Sequence, residues 1–137
     1  MKIIKDYPPN YEQICSVFNI RKKKNIVFTY GDTLFNPSGV QIPQHLLIHE
    51  TVHTMQQGKN PEQWWKRYLT EDQFRLEQEL QAYSAQFKFF CNTNKDRNNQ
   101  FSFLQMIAKD LSSEIYGKII GRSAAIRRIK MEATLQK

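Results

Sequence analysis

The sequence predicts an α+β fold that is mainly helical and carries one small antiparallel β-hairpin. Residues 25–36 (NIVFTYGDTLFN) are rich in β-branched and aromatic residues, whereas apolar residues recur at helical spacing after Pro43. A length of 137 residues with 40% hydrophobic residues suits one compact domain. We therefore expect a single domain, 1–137, with an N-terminal arm and helix (1–24), the β-hairpin (25–42) and a helical region (43–137).

The N-terminal part is predicted to hold one helix and both strands. After a proline-containing arm, apolar residues at helical spacing predict a helix over 10–20. A Gly-Asp pair at 31–32 offers a tight reversal between strands at 25–30 and 33–36.

The region after the hairpin is predicted to divide into five helices. Pro43 suits a first helical turn and Gly58 suits a C-terminal stop. Thr70 is expected to cap the third helix. The predicted elements are helices at 43–57, 61–69 and 71–91, a polar loop at 92–99, a helix at 101–111 and a short basic helix begun by Ser123.

The chain is basic, with 20 Lys and Arg against 13 Asp and Glu and a net charge of +7. One basic cluster is RKKK at 21–24, and another lies near the C-terminus. No aromatic residues interleave RKKK, and no zinc-finger or RNP-type pattern occurs. We interpret these clusters as solvated surface. Nucleic-acid binding is kept as an alternative, which predicts affinity that falls steeply with salt.

Other classes of protein are not expected from this sequence. No apolar run reaches the ~18–20 residues that a membrane span requires. The start, MKIIKDYPPN, lacks the apolar region of a cleaved signal peptide, so we do not expect secretion. Cys15 and Cys91 lie far apart without CxxC spacing, which favours reduced thiols over a cysteine metal site or redox motif.

Residues 49–53 read His-Glu-Thr-Val-His, an HExxH sequence within a predicted helix. Positions four apart on a helix lie ~40° apart around the axis and ~6 Å along it, so His49 and His53 can hold one metal ion. Zn²⁺ accepts such nitrogen ligands tetrahedrally and keeps one corner open for water at a catalytic site. Glu50 would take the proton of that water as a general base. We therefore predict zinc as the cofactor.

A zinc site of this kind needs a third protein ligand. No histidine follows His53, which leaves a carboxylate on the helix at 71–91. Glu77 and Glu79 are two positions apart, about 200° around a helix, so they cannot both face the ion. We prefer Glu79, because the small residue three positions later would let the metal helix approach, and keep Glu77 as the alternative. His45 cannot share the ion with both other histidines, since ~12 Å along the axis separates it from His53, and it is expected near the mouth of the site or simply exposed.

An HExxH helix followed by a glutamate on a second helix resembles the gluzincin branch of zinc metallopeptidases. More closely, residues 25–121 resemble short metallopeptidases encoded by tailed bacteriophages, in the segments YGDTLFNPSG, HLLIHETVHTMQQG, WWKRYL, FRLEQELQAYSAQ and YGKII. In the gluzincin pattern ExxAD the glutamate is a ligand, and Glu79 aligns with it through Ala82. Tyr83 stands where that pattern has an aspartate, so the group that orients a metal-bound histidine is left open.

The resemblance implies a zincin-like fold, in which an edge strand beside the metal helix pairs with an extended peptide substrate; Thr33–Asn36 is the matching strand. It also implies a further hydrogen-bond donor to the oxyanion, for which Tyr83 and Tyr116 are candidates. Their alternative role is core packing. Two roles are likewise open to Trp64, Trp65 and Tyr68, which could line a substrate groove or pack in the core.

Two functions follow as expectations. The first is a gluzincin-like zinc metallopeptidase acting on a peptide or protein substrate. The second is a phage structural or accessory protein that keeps a metal-bound peptidase fold with little or no turnover and has other virion proteins as partners. Either would act in the cytoplasm of the host cell or in the virion.

Overall fold

The structure is a computed structural model that describes residues 1–135, and it confirms an α+β chain that is mainly helical. The strands are β1 (Lys2–Ile4), β2 (Phe28–Tyr30) and β3 (Thr33–Phe35). The helices are α1 (Tyr11–Val17), α2 (Gln44–Gln57), α3 (Pro61–Thr70), α4 (Asp72–Thr93), α5 (Arg97–Leu111) and α6 (Arg122–Leu135), with a short 3₁₀ helix at Glu114–Tyr116.

The three strands form one mixed sheet in the order β1-β3-β2. Strands β2 and β3 make the predicted antiparallel hairpin, with Phe28 opposite Phe35. Strand β1 pairs with β3 in parallel and was not predicted. Its three residues are all exposed, so the alternation of apolar and polar residues that marks a half-buried strand is missing from the sequence. Backbone hydrogen bonds hold the strand, such as the bond that Asn36 N donates to Ile4 O at 2.8 Å.

The prediction that Thr33–Asn36 is an edge strand is wrong, because β3 lies between β1 and β2. The strand that packs beside α2 is β2. Its Thr29 carbonyl accepts hydrogen bonds from Gln57 Nε2 at 2.8 Å and from Trp65 Nε1 at 3.0 Å. Gln57 Oε1 accepts another from the Gly31 amide at 2.6 Å. Side chains therefore occupy the Thr29 carbonyl of β2, one of the groups that a peptide strand would need here.

The helix boundaries mostly follow the predicted signals. Helix α2 ends at Gln57, and the next residue, Gly58, has a φ of 56° that glycine adopts more readily than other residues. Thr70 does not cap α4, since it is the last residue of α3 and its hydroxyl bonds to Lys66 O. Helix α5 begins before 101 because the Asp96 side chain caps it. The predicted helical region extends through α6, and residues 136–137 lie outside the described part.

Helix α4 is the central element, packed against α2, α3, α5 and α6. One apolar cluster joins α4 to α5 and α6, and a second joins α1 and α3 to the sheet. Both cysteines are free thiols. Among residues 1–135, no helix is long and apolar enough to cross a bilayer. Helix α2, which carries the HExxH sequence, packs against both α4 and β2.

Candidate metal centre

Helix α2 places the HExxH side chains in the protein interior. His49, Glu50 and His53 are 3%, 6% and 5% exposed. The two imidazole rings lie 4.9 Å apart between centroids, as the four-residue spacing predicts. One ligand atom from each of the three residues lies within 4.8 Å of the others. The three residues therefore form a compact buried group that could hold a metal ion.

Helix α4 brings Glu79 against both rings. Glu79 Oε1 lies 3.2 Å from His49 Nε2, and Glu79 Oε2 lies 3.1 Å from His53 Nε2. Glu77 points away, is exposed and accepts a hydrogen bond from Gln73. The structure thus brings together His49, His53 and Glu79, the three residues chosen from the sequence, and leaves Glu77 outside.

The other nitrogen of each ring, Nδ1, contacts a glutamine. His49 Nδ1 lies 2.9 Å from Gln86 Oε1, and His53 Nδ1 lies 2.8 Å from Gln56 Oε1. Sequence reasoning missed both partners. Their positions in the sequence could have indicated them. Gln56 is three residues after His53, and Gln86 is seven residues after Glu79, on the same face of α4.

The charges around Glu79 favour a cation between the carboxylate and the rings. Burial alone would lower the pKa of His53, but the Glu79 carboxylate raises it to about 9. Burial alone would raise the pKa of Glu79, but the two histidines hold it well below its usual range. Buried Glu79 Oε1 lies 3.2 Å from His49 Nε2, in an ion-pair contact without the geometry of a hydrogen bond. A buried anion with a free lone pair suits a positive ion.

The donor set fits zinc. Two imidazole nitrogens and one carboxylate oxygen make a known type of catalytic zinc site. Bonds of 2.0–2.2 Å in a tetrahedron imply ligand separations of about 3.3–3.6 Å. The observed N···O distances of 3.1–3.2 Å are close to that range. His49, His53 and Glu79 are therefore the residues that would hold the ion.

Glu50 is the remaining acidic group of the cluster. Burial raises its pKa, although the neighbouring His49 and His53 lower it in part. Thr29, in β2, donates its hydroxyl to Glu50 Oε2 at 3.2 Å. The hairpin therefore orients a buried carboxylate whose affinity for a proton is increased, which suits a general base.

Three tyrosines surround Glu79. Tyr68 donates its hydroxyl to Glu79 Oε2 at 2.7 Å, a contact that the sequence did not suggest. Tyr83 packs edge-on against His49, and its hydroxyl lies 2.6 Å from that of Tyr116. Burial and the Glu79 charge raise the pKa of all three well above the usual range. All three are therefore neutral phenols that can donate hydrogen bonds.

His45 lies outside this group, as expected for a residue that is not a ligand. Its ring packs edge-on against Phe103, and its Nδ1 lies 2.9 Å from Gln86 Nε2. Burial lowers the pKa of His45, and the proximity of His49 lowers it further. The amide of Gln86 thus lies between His45 and His49 and contacts both rings.

A small cavity, partly open to solvent, is lined by His49, Glu50, His53 and Glu79. Its volume is 70 Å³, and Trp64, Trp65 and Tyr68 belong both to its lining and to the apolar core. A water molecule needs about 10–15 Å³ by this measure, so the cavity admits a few waters and no extended peptide.

The outer walls of the cavity come from two segments. One runs from α1 to β2 and contributes residues such as Ile20, and the other is the 3₁₀ helix with Tyr116. An exposed ion pair joins the two segments, with Lys23 Nζ 2.9 Å from Glu114 Oε1. The ion pair therefore links two segments that border the cavity.

No similarity to known proteins was found. The chain matches no protein family model, no curated protein and no solved structure. The functional argument therefore rests on the site itself.

Proposed function

We propose that this protein is a zinc-dependent peptidase of the gluzincin type, acting on a peptide or protein substrate. His49, His53 and Glu79 hold the zinc ion, and Glu50 is the general base. The observation that supports this most strongly is the convergence of two imidazole Nε2 atoms, at 3.1–3.2 Å, on the two oxygens of one buried carboxylate.

The chemistry follows from the residues around the cavity. Bound zinc supplies a Lewis acid that polarises a carbonyl and lowers the pKa of a water molecule to about 7. Glu50 takes the proton of the attacking water and passes it to the leaving amine. Tyr116 lines the same cavity, and its neutral hydroxyl donates to the oxyanion while Tyr83 holds it in place.

Zinc content and activity together test this function. The purified chain should hold one zinc ion, and His49→Ala should lose it. Glu50→Gln should keep the zinc but hydrolyse a peptide library at least about 100-fold more slowly, because general acid–base catalysis contributes roughly 10²–10⁴-fold. Zinc retained in His49→Ala, or full activity in Glu50→Gln, would contradict the proposal.

The small volume of the cavity favours a second candidate, a structural or accessory protein in which the ion stabilises the fold without turnover. A volume of 70 Å³ leaves no room for a bound peptide unless the walls move. Under this second function zinc removal lowers the melting temperature, no peptide in the library is cleaved, and Glu50→Gln behaves as the parent chain does. The partner would then be another protein of the virion.

A further inference from the structure

We infer that Gln86 and Gln56 are positioning residues that make each histidine present Nε2 to the metal ion. This inference rests on the zinc site proposed above. It answers the question left by Tyr83, which stands where the gluzincin pattern has an aspartate. The orienting groups are two neutral amides, one on each of the helices that form the site.

A neutral imidazole carries a hydrogen on one nitrogen and a lone pair on the other. Only the nitrogen with the lone pair can bind a metal ion. A partner that accepts a hydrogen bond from Nδ1 therefore leaves the lone pair on Nε2. In both histidines Nε2 is the atom that faces Glu79.

Gln56 determines the tautomer of His53 without ambiguity. Its Nε2 lies 3.0 Å from the backbone carbonyl oxygen of Gln78, which can only accept a hydrogen bond. That end of the amide must be the NH₂ group, so Oε1 is the atom 2.8 Å from His53 Nδ1. Neutral His53 must then carry its hydrogen on Nδ1.

Gln86 acts on His49 together with His45. Gln86 is 3% exposed, and its amide lies between the two rings, with Oε1 2.9 Å from His49 Nδ1 and Nε2 2.9 Å from His45 Nδ1. When His49 donates from Nδ1, His45 must accept at its own Nδ1. The ring of His45 is thereby fixed by the same amide that orients the metal ligand.

The position of Gln86 explains why an aspartate is not needed after Ala82. Residues four and seven positions after Glu79 share its face of α4. Tyr83, at the first of these positions, packs its ring against His49 with centroids 4.4 Å apart. Gln86, at the second, reaches the Nδ1 atom of the same ring.

Three variants separate positioning from general destabilisation. Gln86→Met and Gln56→Met keep side-chain length but remove the acceptor, and each should weaken zinc affinity about 10–100-fold, the usual effect of losing such a partner. Gln86→Glu should keep zinc affinity within about threefold of the parent. Its carboxylate can accept a hydrogen bond from His49 Nδ1, and His45 can adopt the tautomer that donates from its own Nδ1 to the other carboxylate oxygen.

Gln57→Met is the matched control. Gln57 is another buried glutamine of α2, but it bonds to backbone groups of Thr29 and Gly31 and not to a histidine ring. This variant should lower the melting temperature and leave the zinc affinity of the folded protein within about threefold of the parent.

The measurements are zinc competition with a chromophoric chelator and long-range ¹H–¹⁵N NMR of the zinc-loaded rings. The parent chain should show both histidines with hydrogen on Nδ1, and Gln86→Met should show faster exchange of the His49 Nδ1 hydrogen. Parent-like affinity in both Met variants, or no rescue by Gln86→Glu, overturns the inference while the zinc site stands. A parent chain that binds no zinc overturns the proposed function, and the inference with it.

Discussion

Glu79 Oε2 lies 3.1 Å from His53 Nε2, across the interface between α4 and α2. The contact joins the residue that the sequence offered as third ligand to the second histidine of HExxH. Both side chains are at least 90% buried, so neither charge is compensated by solvent. The pair is stable only with a proton or a metal ion between the two atoms. Most of the predictions below depend on that requirement.

Replacing Glu79 should remove the third ligand. We expect Glu79→Gln to weaken zinc binding by more than about 100-fold, beyond the ~10–100-fold effect of losing an outer partner. Glu77→Gln is the control on the same helix, and it should bind zinc as the parent chain does, since Glu77 is exposed. Competition with a chelator measures both. Equal affinities in the two variants would exclude Glu79 as a ligand.

Zinc binding should release a proton at pH 7. The pKa of His53 in the metal-free site is about 9, so this ring is protonated at pH 7 and must lose its proton to bind the ion. Apparent zinc affinity should therefore rise with pH up to about 9 and then level off. Calorimetry in buffers of different ionisation enthalpy counts the protons. A release near zero at pH 7 would show that His53 is neutral before the ion binds.

The hydroxyl of Tyr68 should stabilise the buried carboxylate. Tyr68→Phe removes a 2.7 Å hydrogen bond to Glu79 Oε2, and we expect it to lower the free energy of unfolding by about 1–3 kcal/mol. Tyr7→Phe, at an exposed tyrosine, should change it by less than about 0.5 kcal/mol. Urea unfolding of the metal-free chains measures both. A similar loss in the two variants would contradict a specific role for Tyr68.

The ion pair across the cavity walls should slow access to the site. An exposed pair contributes about 0.2–1 kcal/mol, so Glu114→Gln should speed the extraction of zinc by a chelator by up to about fivefold. High salt, which screens the pair, should speed extraction from the parent chain to a similar extent. Arg21→Gln is the control, because Arg21 pairs with Glu12 and does not bridge the walls. Extraction rates that are equal in all three chains would mean that the walls do not limit access.

The sequence predicted the parts of the site that follow from helical geometry. The pairing of His49 with His53 follows from the angle between positions four apart, and the place of His45 follows from the rise along the same helix. The choice of Glu79 over Glu77 followed from the small Ala82 three positions later on a later helix. In the structure His49, His53 and Glu79 lie together, and Glu77 lies outside the group.

The parts it missed depend on contacts between distant segments. Gln86 contacts a histidine 37 positions earlier in the chain, and no local pattern marks that contact. Strand β1 is exposed and held by backbone bonds, so it has no hydrophobic signature, and its pairing makes β3 central. The shape of the cavity likewise depends on residues from distant segments, such as Ile20 before β2 and Tyr116 in the 3₁₀ helix.

The most direct test of the metal centre is a crystal structure of the zinc-loaded chain with anomalous data collected at the zinc edge. We predict one strong peak, about 2.0–2.2 Å from His49 Nε2, His53 Nε2 and an oxygen of Glu79. Absence of a peak between these side chains in fully loaded protein, or a peak held by other residues, would contradict the account.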